Sequence, residues 1–271
     1  MRVQMWCDME GVAGITHWDQ VNGGAPLYEE GRRLYTQEIN AAVRGAKRAG
    51  ATEIVVIDGH GAGGGWTMNS WITDQLEPGA EYITGFRWGC YVEDLQTGCD
   101  ALLLPGAHAM AGTSDGVLCH TMSSANWVNA YINGQAVGES GIIAAIAGSF
   151  GVPVVFVSGD TAACREVAAL LGASVTQAAV KKGLGRYSAR SMAPSDACTL
   201  IETKVHEVLT NQKSWPKPYK APGPAEFKVE LHTSDHADQY LGRVGLEIVN
   251  ARTVVSRGET FWQVWDQFWK R

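Results

Sequence analysis

Four short apolar runs, three ending in a polar residue and one stopping at Pro105-Gly106, constrain this chain more than any other feature: Val3–Asp8, Glu53–Asp58, Ala101–Leu104 and Pro153–Ser158. They are too short for buried helices. They are apolar at successive positions rather than alternate ones, as in strands buried on both faces of a parallel sheet. Helical patterns lie between them. One runs over Tyr28–Ala49, with Gly50 as its natural end, and another starts at Asp160 or Thr161 and reaches Leu171. Val175–Val180 reads as a further strand. Strands alternating with helices predict an α/β domain, a mostly parallel sheet with flanking helices.

One unit interrupts the alternation. Asn126–Ile132 runs into Asn133-Gly134, a favoured tight-turn pair, and Gln135–Val137 returns antiparallel. A helix then opens at Gly138-Glu139-Ser140-Gly141 and continues to Phe150. The last third changes character. A helix over Ser195–Asn211 is followed by a proline-rich link, Trp215–Pro224, which leads to strands at Glu226–Leu231, Val244–Asn250 and Ala251–Val255 and a closing helix at Gly258–Lys270. The expected organisation is a catalytic α/β domain over 1–193, with an inserted hairpin near 126–137, and a smaller α+β unit over 194–271.

Composition excludes several classes. A net charge of −6, with no Lys/Arg run longer than two residues, argues against a nucleic-acid surface. The longest apolar stretch, Gly141–Phe156, is broken by Gly148, Ser149, Gly151 and Pro153, so no membrane span is expected. Met1-Arg2 leads straight into the first strand without a secretory apolar region. The six cysteines, at 7, 90, 99, 119, 164 and 198, form no C-x-x-C pair. They read as reduced, buried thiols in a cytoplasmic protein.

The chemistry lies where the strands end. Asp8 and Glu10 stand two residues apart after the first run, His60 follows the second, and His108 follows the third. In an open parallel sheet, ligands bind outside the carboxyl ends of the strands, so these residues converge on one rim. An isolated D-x-E is an ordinary turn and a lone histidine an ordinary polar residue. Two histidines meeting two carboxylates form a metal-site pattern, because like charges this close repel unless a cation holds them, and imidazole and carboxylate both suit zinc. By position alone, Glu139 is a first-turn helix residue and His120 a strand residue paired to backbone.

Cys7-Asp8-Met9-Glu10-Gly11-Val12-Ala13-Gly14 resembles the opening motif of the D-aminopeptidase DppA family, the M55 zinc metallopeptidases. The resemblance continues through Asp58-Gly59-His60, Gly106-Ala107-His108-Ala109, Gly116–Met122, Tyr131–Gly134 with Val137–Gly141, Pro153-Val154, Gly159-Asp160 and Ala178–Lys181, covering about residues 1–200. It implies two zinc ions per subunit, with Asp8 bridging, Glu10 and His60 completing one site, and His108 and Glu139 completing the other. The family's catalytic histidine falls on His120, for which a general acid/base or oxyanion-stabilising role fits best. Asp58 reads as a partner that orients a ligand, or as a turn residue. The chain departs from the family at the Gly-rich segment Gly61–Trp66 and at Ser140.

The resemblance implies an aminopeptidase that releases an N-terminal D-amino acid, a small one such as D-alanine, from short peptides or amides. It also implies a homo-oligomer, a decameric ring in the family. Stereochemistry needs a wall that sorts hydrogen from side chain, and the loop after His60 is the expected wall. Two other readings compete: a dinuclear-metal amidohydrolase acting on a small non-peptide amide, and a non-catalytic peptide-binding protein, which needs no His120. His17, His206, His232 and His236 are set aside, and Trp262, Trp265 and Trp269 read as a core or subunit-contact stripe.

Overall fold

The computed structural model describes residues 1–85 and 92–269, so Cys90 and Lys270 lie outside the described residues. In chain order the strands are β1 (Arg2–Cys7), β2 (Glu53–Asp58), β3 (Glu81–Ile83), β4 (Ala101–Ala107), β5 (Trp127–Ile132), β6 (Gln135–Val137), β7 (Val154–Asp160), β8 (Thr176–Gly185), β9 (Ser188–Ser191), β10 (Ala225–Leu231), β11 (Leu246–Asn250) and β12 (Thr253–Gly258). The helices are α1 (Tyr28–Arg48), α2 (Glu93–Thr97), α3 (Glu139–Ser149), α4 (Thr161–Leu171), α5 (Pro194–Thr210), α6 (Ser234–Asp238) and α7 (Phe261–Trp269). None of the described helices is long and apolar enough to cross a membrane.

The larger sheet has the order β3-β2-β1-β4-β7-β8-β9. It is parallel except for the β8–β9 hairpin. Successive residues of its central strands feed opposite faces. Val3, Met5, Val56 and Leu103 pack towards α1 and α5, while Trp6, Ile57, Leu102 and Leu104 pack towards α3 and the second sheet. Both faces are therefore buried, which is why these strands carry apolar residues without alternation.

The second sheet is antiparallel, with the order β11-β12-β10-β5-β6. The Asn133-Gly134 hairpin is part of it, because β5 is hydrogen-bonded along β10 from Ile132–Phe227 to Trp127–Leu231. The small unit expected over 194–271 thus shares its sheet with the hairpin. Its first helix, α5, lies instead on the larger sheet, against α1 and β8. Of the α7 aromatics, Phe261, Trp265 and Phe268 are core, all meeting Phe227 of β10 with ring centroids 5.2–5.7 Å apart, whereas Trp262 and Trp269 of the expected stripe are half-buried against it.

Strand β4 corrects the expected stop at Pro105-Gly106, since it continues to Ala107. Proline has no N–H for the ladder, and here none is needed, because the β4–β7 register shifts between Leu104 and Ala107. The Pro105 carbonyl instead accepts from Asp8 N at 3.0 Å, and Gly106 N donates to Ser158 Oγ at 3.0 Å. Of the described cysteines, Cys7, Cys119 and Cys164 are buried as expected, whereas Cys99 and Cys198 are only half-buried.

Candidate metal centre

Three neighbouring parallel strands deliver the first four residues of interest. Asp8 and Glu10 follow β1, His60 follows β2, and His108 follows β4. Two glycines let the first and third of these loops cross. Gly106 has φ +75°, and a Cβ on it would lie 1.9 Å from the Asp8 carbonyl oxygen; one on Gly11 would lie 2.1 Å from that of Ala107. Only glycine fits so close a backbone approach. Glu139 is the first residue of α3, and His120 lies in the loop that precedes β5. The structure brings all six predicted residues together.

Asp8 stands between the two histidines. Its Oδ1 is 3.0 Å from His60 Nδ1, and its Oδ2 is 3.3 Å from His108 Nε2. Each histidine also faces a glutamate of its own, with His60 Nδ1 3.1 Å from Glu10 Oε2 and His108 Nε2 3.2 Å from Glu139 Oε1. The far ring nitrogens meet backbone carbonyls. His60 Nε2 lies 2.7 Å from Val21 O, and His108 Nδ1 lies 2.9 Å from Ala109 O. In the neutral rings the proton sits on those outer nitrogens, which leaves both inner nitrogens as lone pairs aimed at carboxylates. Lone pair against anion is repulsive unless a cation lies between them. Glu10 Oε2 and His108 Nε2 are indeed buried without a hydrogen-bond partner. The donors therefore fit a metal.

The titration shifts report the same electrostatics. Burial pushes both histidines down, but Glu10 with Asp8, and Glu139 with Asp8, outweigh it and hold them well above the ordinary range. Burial would raise Asp8 and Glu139, yet the histidines bring both down. His120 is lowered, first by burial and then by His108, on which it stacks with centroids 4.0 Å apart. Its Nδ1 faces Leu118 O at 2.9 Å, and its Nε2 lies 3.6 Å from Glu139 Oε1.

Asp58 orients the His60 main chain rather than its ring. Its carboxylate accepts from His60 N at 3.1 Å, Ser70 N and Tyr35 Oη, and burial lifts it to about 6. The sequence held no cue to Val21, whose carbonyl turns the His60 ring, or to Glu166 of α4. Glu166 Oε2 accepts from Met110 N at 2.8 Å, and its Oε1 abuts Gly138, so it clips the segments carrying His108 and Glu139. The expected wall is also corrected. Of the Gly-rich loop only Gly61 lines the roughly 150 Å³ cavity at the ligands. Trp66 turns away onto Tyr28 and Arg32, and Trp18, Asn22, Met122, Ser123 and Ser124 line the cavity beside the carboxylates and histidines.

Under the Asp8–Glu10 loop lies Lys181, whose Nζ donates to the carbonyls of Glu10, Val12 and Ile15 at 2.6, 2.7 and 2.6 Å. Beside it, Glu38 of α1 accepts from Ala13 N at 2.8 Å. Burial pushes the Glu38 carboxyl up to about 7, against that bond and the lysine. A carboxyl raised in the fold contributes its stability fully below its ordinary 4.5 and loses it as pH rises through 7. Glu38→Gln cannot ionise. It is expected to be more stable than the parent near pH 8, by up to about 3 kcal/mol, with the gap closing towards about pH 4. Calorimetric melting across that range checks this; a gap independent of pH would refute it.

The family model described as the M55 peptidase, D-aminopeptidase, matches residues 1–269. The chain belongs to the M55 D-aminopeptidase family. A D-aminopeptidase of Bacillus subtilis (strain 168) is 34% identical over 256 residues, which cover 94% of this chain and 90% of that one. A solved structure described as the Zn-dependent D-aminopeptidase DppA from Bacillus subtilis, a self-compartmentalizing protease, superposes with a TM-score of 0.90 at 31% identity. The superposition covers 99% of this chain and 96% of that one. Membership makes the chain a peptidase, a hydrolase of amide bonds, and the amidohydrolase and binding-protein readings gain nothing from these matches.

Proposed function

We propose that this chain is a dinuclear zinc aminopeptidase that releases an N-terminal D-amino acid from short peptides. The observation that carries the reading is the two inner histidine nitrogens, each aimed at a different oxygen of Asp8 and each faced by its own glutamate. Asp8 would then be held in common, Glu10 with His60 would hold one zinc, and Glu139 with His108 would hold the other. Nitrogen and carboxylate donors without cysteine suit a catalytic rather than a structural zinc, and the solved relative is described as Zn-dependent. Bound zinc supplies Lewis acidity to the scissile carbonyl and to a water.

The chain's own residues do the rest. Val21 O and Ala109 O hold the two ligand rings in their tautomers. His120 stands at the cavity edge with Nε2 inward, placed to take a proton from the attacking water and return it to the leaving amine. Trp18 and Asn22 are the side chains that would sort substrate stereochemistry. The solved relative is described as self-compartmentalizing. Leu184 and Tyr187, 66% and 55% exposed on the β8–β9 hairpin, give this chain apolar surface to bury in a comparable assembly, for which a decameric ring in the cytoplasm is our proposal. Light scattering reads its size, and a monomer would refute it.

The decisive experiment compares D- and L-alanyl p-nitroanilides and short peptides after chelation and again after zinc is restored. Turnover is expected to vanish on chelation, return with zinc and favour the D series by at least about 100-fold, the scale of lost near-attack geometry. Preference for the L series would reject the stereochemistry alone. Activity indifferent to chelators would reject the metal chemistry.

A further inference from the structure

The cavity at the ligands does not end at His120. Past His120 and Ser124, which line both spaces, it continues into a groove of about 610 Å³ bordered by Thr113, Trp127, Asn129, His232 and Arg186. Arg186 sits in the turn between β8 and β9. That turn is tied to the catalytic loop, because Leu118 N, two residues before His120, donates to Arg186 O at 2.8 Å. The guanidinium lies 5.6 Å from the centroid of Trp18 and 5.7 Å from that of Tyr187. Trp18 in turn meets the His120 ring edge-on at 5.6 Å, so the guanidinium is at most about 11 Å from that ring.

Among the described residues Arg186 has no carboxylate partner; its one side-chain hydrogen bond, at 3.4 Å, goes to the Tyr187 hydroxyl. Asp115, next in the chain to Ser114 of the groove, is taken by Arg165 at 2.7 Å. The groove thus has opposite poles, with Asp8, Glu10 and Glu139 at one end and an uncommitted guanidinium, held on aromatic faces, at the other. A short peptide has the matching polarity. With its ammonium end at the acids, its carboxylate points along the groove, and an extended chain advances about 3.3–3.6 Å per residue. One or two residues past the scissile bond bring the carboxylate within the guanidinium's span. Arginine matches a carboxylate with two parallel N–H donors.

We propose that Arg186 binds the C-terminal carboxylate of di- and tripeptide substrates and so selects peptide length. This rests on the aminopeptidase reading above. The test uses full-length, zinc-loaded protein and three substrates: D-alanyl-D-alanine, its C-terminal amide, and D-alanine p-nitroanilide. In Arg186→Met, kcat/KM on the free acid is expected to fall about 10- to 100-fold, mainly through KM, the scale of one charged hydrogen-bonded pair. The two substrates without a carboxylate should lose under about 3-fold, and Arg186→Lys should recover part of the loss as a point charge without the fork. Equal loss on all three substrates, or none on the free acid, overturns the role of Arg186 and leaves the aminopeptidase standing. A parent protein that cleaves none of the three overturns both.

Discussion

Asp8→Ala is expected to strip the protein of its metal and to lower kcat/KM by more than about 10³-fold, beyond the usual cost of one oxyanion donor. The reason is its position. One carboxylate oxygen lies 3.0 Å from His60 and the other 3.3 Å from His108, so in the proposed dinuclear site a single truncation would remove a ligand from both halves. Glu10→Ala or Glu139→Ala, by contrast, opens only one half and should leave partial occupancy. The fold should survive. Among the described residues the Asp8 side chain otherwise accepts from Met9 N, at 2.8 Å, and His60 and His108 each retain a glutamate to neutralise them. Elemental analysis after desalting, beside a melting curve of chelated parent and variant, separates metal loss from unfolding. A folded Asp8→Ala protein that keeps its metal and its rate would refute the shared-ligand assignment.

His120→Ala should behave differently, keeping the metal while losing about 10²- to 10⁴-fold in kcat, the range for a positioned acid or base. His108, Glu139 and His120 lie close enough together to hold an ion as a group. The distances nevertheless rank His120 last: its Nε2 is 3.6 Å from Glu139, against 3.2 Å for His108. Its Nδ1 faces Leu118 O, so the neutral ring presents a basic Nε2 to the cavity, and burial and His108 both lower its pKa, favouring that form. The same preparation should therefore show parental metal content with a collapsed rate. Loss of metal would make His120 a ligand, and unchanged turnover would make it structural.

What the sequence determined by itself is local. β2, the Asn133-Gly134 hairpin and the start of α4, capped by Asp160 of the two candidates Asp160 and Thr161, were all legible, because apolar runs, turn pairs and caps are written in neighbouring residues. The convergence of Asp8, Glu10, His60 and His108 was legible too, since parallel strands put all their carboxyl ends on one rim. Only the family resemblance brought in Glu139 and His120. Neither follows a strand of the larger sheet, and each by position alone has an ordinary reading. The pairing of Glu10 with His60 and of Glu139 with His108 came with the resemblance; the tertiary structure alone decided that Trp18 and Asn22 line the cavity with only Gly61 of the Gly-rich loop, and that the hairpin joins β10. It also supplied Val21 O on the His60 ring, Glu166 bridging two ligand segments, and Lys181 beneath the loop. The physical reason is common to these last three. Each works through main-chain groups, and a backbone carbonyl or amide is the same at every position, so nothing in the residue string marks which one will be met by a side chain folded in from far along the chain.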